Sequence, residues 1–315
     1  MNKIILNKIS NSIDLWGGFC ICLTNKCNLS CKYCSRNCNN KGRDSLPFNT
    51  VKAVIDFFYK KTSIGKKSIQ FTGGEIFLHD RIDDIIEYAL CKGFTCQLQS
   101  NGILIPQAIK RRPDLFSNPN VIFKISLDGW NKDINGLYRG LNSFELTVNG
   151  IISAKSINKT VGIKTVIHEG NFLNLDKMLD FCLRLKVEGW SYNILFDRGR
   201  SQEKADISEL AVVKKLLPLF QIQKYTHLMN GTNIQAYLLL NALGIKSLPY
   251  YFFVNGDGNI YITDNTVRER LVGNVFKAIL TSEFTVSFPL TNIDLTINRQ
   301  VLKYITSHIK VEIER

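Results

Sequence analysis

The sequence predicts an α/β protein organised on a parallel sheet. Three observations carry this. Strand-like apolar stretches recur six times between residues 19 and 196, helical patterns separate several of them, and polar turn motifs follow the strand ends. Strands alternating with helices imply parallel pairing through right-handed crossovers. Six such units fit either an open doubly wound sheet or a partial barrel. In both, chemistry gathers at the C-terminal strand ends.

The strand stretches are Phe19–Thr24, Ile69–Thr72, Thr95–Gln99, Val121–Leu127, Val161–Ile167 and Ser191–Phe196. Asn49 is the expected cap of a helix with Val51, Val54, Ile55 and Phe58 on one face. "IDDIIEYALCKG" repeats the pattern and ends at Gly93, a suitable C-terminal cap. "NSFELTVNGIISAK" starts from Asn142 or Ser143, and "NLDKMLDFCLRL" sets Leu175, Met178, Leu179 and Cys182 on one stripe. Beyond about residue 200 the rhythm changes. "SQEKADISEL" is a polar link into a helix, and "NIQAYLLLNALG" is another helix. "YYFFVNGDGNIYIT" reads as a hairpin turning near Asp257-Gly258, and "RQVLKYITSHI" as a last helix.

The 315 residues suffice for one large domain, or a domain with an appendage. No apolar run approaches the roughly 20 residues that span a bilayer. The start "MNKIILNKIS" is too short and polar for a secretory signal, so the expected location is the cytoplasm. Net charge is +13, which favours acidic partners, but the basic residues are scattered and show no aromatic–basic repeat. Nine cysteines, six of them between Cys20 and Cys38, make an odd and clustered set that argues against a disulfide framework. Cys20 and Cys22 share a strand face and, with Cys91, Cys96 and Cys182, read as core.

The stretch "CNLSCKYC" places Cys27, Cys31 and Cys34 in one short loop after the first strand. A structural zinc site takes four ligands, and Cys38 is a candidate fourth. A [4Fe–4S] cluster also takes thiolates from such a loop, and three leave one iron open to an exogenous chelator. With Thr24 ahead of it, the stretch resembles the signature of radical S-adenosylmethionine (SAM) enzymes. The resemblance extends to "GGE" (Gly73, Gly74, Glu75), Ser100 with Asn101, "SLDG" from Ser126 through Asp128, and "YRG" with Arg139. Asn171 is a weaker match.

The resemblance implies a partial (β/α)6 TIM-like barrel over residues 17–200, after an N-terminal arm at 1–16. It implies a three-cysteine [4Fe–4S] cluster whose open iron is chelated by SAM, reductive cleavage of SAM, and a 5′-deoxyadenosyl radical that takes hydrogen from a substrate. Tyr33 would pack on adenine. Gly73, Gly74 and Glu75 would meet the SAM amino group. Ser126 and Arg139 would meet its carboxylate. Asp128 would order the loop or face substrate, and Cys38 would be a candidate hydrogen donor.

"DGNIY" at 257–261 and "VGNV" at 272–275 resemble the cysteine-rich SPASM or twitch extension of peptide-modifying members. Thr263 stands where that pattern has cysteine, and no cysteine follows Cys182. Residues 201–315 are therefore expected to form a small SPASM-like α+β cap without an auxiliary cluster. The expected substrate is a ribosomally made peptide, altered by crosslinking or epimerisation. A sugar, nucleoside or amino-acid derivative is the alternative, and a metal-binding nucleic-acid module is the non-enzymatic one. The cysteine loop begins by residue 27, leaving no room ahead of it for a leader-recognition domain. A separate recognition protein or direct leader binding is expected, with a flavodoxin or ferredoxin as reductant.

Overall fold

The computed structural model describes residues 19–56, 58–59, 68–157, 160–195, 199–201, 206–228, 304 and 307 with side chains. It describes the backbone alone at 2–7, 57, 60–61, 229, 251–254, 259–263, 269–274 and 309–314. Strand β1 (Asn2–Asn7) lies outside the main sheet. Six strands follow in order: β2 (Phe19–Thr24), β3 (Ser68–Gly73), β4 (Thr95–Ser100), β5 (Val121–Ser126), β6 (Val161–Ile167) and β7 (Gly189–Ile194). All six are parallel, and each pairs with its sequence neighbour.

That order settles the architecture. A doubly wound sheet needs a point where the strand order reverses. Here it never reverses from β2 to β7, so right-handed crossovers put every connecting helix on one face and the sheet curls into a partial barrel. The opposite face becomes a lumen.

Side-chain alternation follows from this geometry. On β4, Cys96, Leu98 and Ser100 are buried while Thr95, Gln97 and Gln99 are half-buried. On β5, Val121, Phe123 and Ile125 are buried while Ile122, Lys124 and Ser126 are half-buried. The buried set packs under the helices. Phe19 stacks on Phe58 with ring centroids 3.9 Å apart and meets Phe94 edge-on at 5.8 Å.

Between residues 48 and 220 the expected helices are present, with local corrections. Val51, Val54, Ile55 and Phe58 are buried as expected, but the helix is Phe48–Lys61. Val51 N–H donates to Pro47 O, so Asn49 lies inside the first turn and does not cap it. Helix Ile82–Cys91 ends before Gly93, whose φ of +78° suits the capping turn. Cys91, expected in the core, is exposed. It lies off the buried stripe of Ile82, Ile85, Ile86 and Ala89. Cys96 and Cys182 are buried. The seventh strand begins at Gly189 rather than Ser191, because Gly189 and Trp190 already pair with Gly162 and Ile163.

The expected hairpin forms: β8 (Tyr251–Val254) pairs antiparallel with β9 (Asn259–Thr263), which pairs with β10 (Glu269–Asn274). β8 lies parallel against β2, giving a nine-stranded sheet. β1 pairs in parallel with β11 (Ile309–Glu314), so residues 2–7 of the N-terminal arm form a strand. The helix expected in "NIQAYLLLNALG", the packing of the "YYFFV" face and most of the helix expected in "RQVLKYITSHI" lie outside the described residues. Among the described residues, no helix is long and apolar enough to cross a membrane.

Candidate active site

The loop after β2 returns on itself before helix Phe48–Lys61. Asn25 N–H donates to Asp44 O at 3.0 Å, and Cys27 N–H to Asn39 O at 2.9 Å. Cys34 N–H donates to Cys31 O at 3.1 Å, closing the turn between the second and third thiols. The result sets Cys27, Cys31, Cys34 and Cys38 on the wall of one cavity. Much of the rest of its wall comes from C-terminal strand ends: Thr72 to Gly74 at β3, Gln99 to Asn101 at β4, Ser126 on β5, Lys164 and Val166 on β6, and Asn193 to Leu195 at β7. Leu29, Tyr33, Ser35 and Arg139 complete it.

The "GGE" turn fastens the base of the cysteine loop. Gly74 N–H donates to Thr24 O and Glu75 N–H to Lys26 O, both at 2.7 Å. A Cβ on Gly74 would stand 2.0 Å from Lys26 O, so only glycine permits this contact. Glu75 is fully buried and absent from the cavity wall. Its carboxylate accepts from Ser100 Oγ at 2.9 and 3.0 Å, Asn101 N–H at 2.8 Å and Phe77 N–H at 3.2 Å. Burial nevertheless raises its pKa to about 7. Asn101 in turn donates through Nδ2 to Asn28 Oδ1 at 2.6 Å and approaches Cys27 Sγ at 3.9 Å.

Asp128 is a second hub. It accepts from Arg139 Nε at 2.7 Å and Nη2 at 3.1 Å, from Tyr33 Oη, and from Val166 N–H at 2.8 Å. The Arg139 fork, expected to face a ligand carboxylate, is thus aimed at Asp128, with the guanidinium 5.4 Å from the Tyr33 ring centre. Asn171 is fully buried and away from the cavity wall. Its Nδ2 donates to Asp128 O and Val166 O, and its Oδ1 accepts from His168 N–H. Ser126 faces the cavity, and its hydroxyl has no partner among the described residues.

The cysteines are free thiols. Burial pushes Cys27 up to about 12 and raises Cys31, while Arg139 opposes the rise at Cys31. The Cys38 thiol hydrogen-bonds Cys34 and lowers it to about 5, and the same bond raises Cys38. Among the described residues, no three His, Cys, Asp or Glu side chains converge as ligands of one ion. A polynuclear cluster asks for something different, one thiolate per iron around a shared void. Three thiols bordering one cavity fit it.

Lys164 and Gln99 on the wall, and Arg200 outside it, have no counterpart among the expected site residues. Lys164 and Gln99 line the cavity from β6 and β4. Their positions follow from counting alternate residues along "VGIKTVI" and "TCQLQS". Arg200 donates from Nε to Cys31 O at 3.0 Å and from Nη2 to Cys38 O at 2.6 Å, and its N–H donates to Cys34 O at 3.0 Å. No sequence pattern announces so distant a contact.

Fold and site together define an α/β barrel carrying a cysteine loop over the C-terminal mouth of its strands. The family model of the radical SAM superfamily matches residues 21–182, and the chain belongs to that family. Its members are enzymes, and so is this chain, which removes the non-enzymatic module. The family implies a [4Fe–4S] cluster and S-adenosylmethionine.

An uncharacterised protein of Methanocaldococcus jannaschii is 28% identical over 80% of this chain and 86% of its own length. An AdoMet-dependent heme synthase of Nitratidesulfovibrio vulgaris is 27% identical over 58% of this chain and 49% of its own. The subtilosin biosynthesis protein AlbA of Bacillus subtilis is 26% identical over 58% of this chain and 40% of its own. The chain thus spans half or less of the length of the two named relatives. The solved structure of anSMEcpe with bound AdoMet and a Kp18Cys peptide has a TM-score of 0.66 at 19% identity, covering 82% of this chain and 77% of that one, which shows the shared fold.

Proposed function

We propose that Cys27, Cys31 and Cys34 hold a [4Fe–4S] cluster with one iron left for S-adenosylmethionine, and that the enzyme modifies a ribosomally made peptide. The supporting observation is the meeting of three thiols with five strand ends around one cavity. When bound, the two cofactors supply reductive SAM cleavage and a hydrogen-abstracting radical.

The chain's own residues bind and position. Gly73, Gly74, Ser100, Asn101 and Ser126 offer the cavity a backbone edge, an amide and hydroxyls, and Tyr33 offers an aromatic face. Glu75, Asp128 and Asn171 are assigned to positioning: Glu75 joins the ends of β3 and β4, while Asp128 and Asn171 join β5 to β6. Arg139 holds Asp128 and sets a cation beside Cys31. Within residues 201–315, helix Glu209–Phe220 packs with helix Leu175–Arg184 as part of the barrel core, and the hairpin strands β8 to β10 are assigned to an extension at the barrel edge next to β2, through β8.

Two relatives support a peptide substrate: AlbA serves bacteriocin biosynthesis, and anSMEcpe was solved with a peptide. The heme synthase favours a small molecule as the second reading. The cluster is tested by anaerobic reconstitution, which should give roughly four irons per chain, and by 5′-deoxyadenosine formation with dithionite and SAM. Cys31→Ala should abolish both. Cys38→Ala should keep SAM cleavage, and losing it would mean the ligands are misassigned. Coexpression with a short open reading frame beside the gene, read by peptide mass, tests the substrate. An unchanged peptide alongside turnover of a small molecule would overturn the peptide reading.

A further inference from the structure

Two lysines stand on the lumen face of the barrel. Lys124 and Ser126 are alternate residues of β5, and Gly162 and Lys164 are alternate residues of β6. The register sets Lys124 opposite Gly162 and Ser126 opposite Lys164. Lys124 leans across to β6: a Cβ on Gly162 would stand 3.4 Å from its Cδ and 3.5 Å from its Nζ. The missing side chain at Gly162 thus makes room for the Lys124 ammonium on the strand that carries Lys164. Gln99 is the cross-strand neighbour of Lys124 on β4. Its Oε1 already accepts from Gln70 Nε2 at 2.6 Å, which leaves its amide N–H groups to donate.

Among the described residues, neither lysine has a hydrogen-bond or ion-pair partner. Among the described residues, the cavity wall that includes Lys164 and Gln99 carries no Asp or Glu. Burial lowers the pKa of both amines; the charge of Lys164 lowers Lys124 further, and Cys20 only partly opposes the burial of Lys164. Two half-buried amines side by side, with no counter-charge among the described residues, are an unfavourable arrangement for stability alone. Perturbed amines of this kind, in a cleft, mark functional sites.

We propose that Lys124 and Lys164, with Gln99, form a subsite for an oxyanion of the substrate, a carboxylate or a phosphate, inside the barrel beside the SAM cavity. It rests on the reading of that cavity as the cofactor site and narrows the substrate to an anionic one. An acidic side chain or C-terminus of a peptide would bring a carboxylate. A phosphorylated small molecule would bring a phosphate.

The test is calorimetric titration of reconstituted protein with inorganic phosphate and, separately, succinate, with and without saturating SAM. Thermal unfolding at each anion concentration gives a second readout. At least one anion should bind with one-to-one stoichiometry, raise the melting temperature, and bind equally well when SAM is present. Its affinity should fall roughly tenfold or more in Lys164→Met and in Lys124→Met. Both variants should melt no lower than wild type without the anion, since methionine removes a buried charge. The ratio of phosphate to succinate affinity separates the two sources.

Absence of binding by either anion would overturn the proposal. So would binding that the variants leave unchanged, or anion binding displaced by SAM, which would make the site the cofactor's own. A lower melting temperature in both variants would make the lysines structural. Iron content and 5′-deoxyadenosine are read separately. A protein that loads iron and cleaves SAM but binds no anion loses only this subsite, whereas one that loads no iron loses the cofactor reading.

Discussion

Replacing Glu75 by glutamine tests how the base of the cysteine loop is held. The carboxylate is buried and accepts from Ser100, Asn101 and Phe77, yet burial outweighs these donors and raises its pKa from 4.5 to about 7. The sign follows from linkage. Between those values the unfolded chain has released a proton that the folded chain keeps. Stability is therefore complete below the ordinary carboxylate range and falls as pH rises to the folded value. At about 1.4 kcal/mol per pH unit, the loss attributable to Glu75 is about 3 kcal/mol. E75Q preserves the shape and one acceptor but cannot ionise. The margin of wild type over E75Q should shrink by about that amount between about pH 4.5 and about pH 8. Urea unfolding followed by circular dichroism across this range measures it, and differencing removes other titrating groups. A margin that stays constant, or grows with pH, would refute the reasoning. Growth would mean that the three donors, rather than burial, govern the carboxylate.

Arg200→Met removes two guanidinium bonds to Cys31 O and Cys38 O, a loss of about 2–4 kcal/mol to loop order; iron per chain should fall while far-ultraviolet circular dichroism stays native. Gly74→Ala would put a methyl 2.0 Å from Lys26 O, so the cysteine loop must shift; an iron assay should show severe loss, and full iron content would mean the loop tolerates displacement. Phe19→Ala removes a fully buried ring stacked on Phe58; urea unfolding should show a cost of about 3–5 kcal/mol.

The helix-bearing half of the architecture was legible in the sequence because periodicity records burial. Val51, Val54, Ile55 and Phe58, and Leu175, Met178, Leu179 and Cys182, all fall in the core as their spacing implies. Strand order was less accessible. Alternation alone left open sheet and barrel undecided, and only pairing to the immediate sequence neighbour separates them. At the site, residue types showed where side chains gather but not which way they turn. Glu75, Asp128 and Asn171 sit in motifs that suggest ligand contact, yet each is buried behind the wall and bonded to protein groups. Such orientation depends on partners far along the chain. Lys124 and Lys164 needed only a period-two count to place them in the lumen. That no counter-charge faces them among the described residues required the packed structure.

Arg200 and Cys31 are 169 residues apart in the chain and joined in space. During translation, all three thiols leave the ribosome well before their fastening residue has been made. Until β7 and the turn after it emerge, the loop lacks the arginine that fixes its carbonyls. If these thiols hold the cluster as proposed, iron loading is expected of the completed barrel rather than of the nascent polypeptide. A chain cut short ahead of residue 199 should carry every thiol and still hold metal poorly.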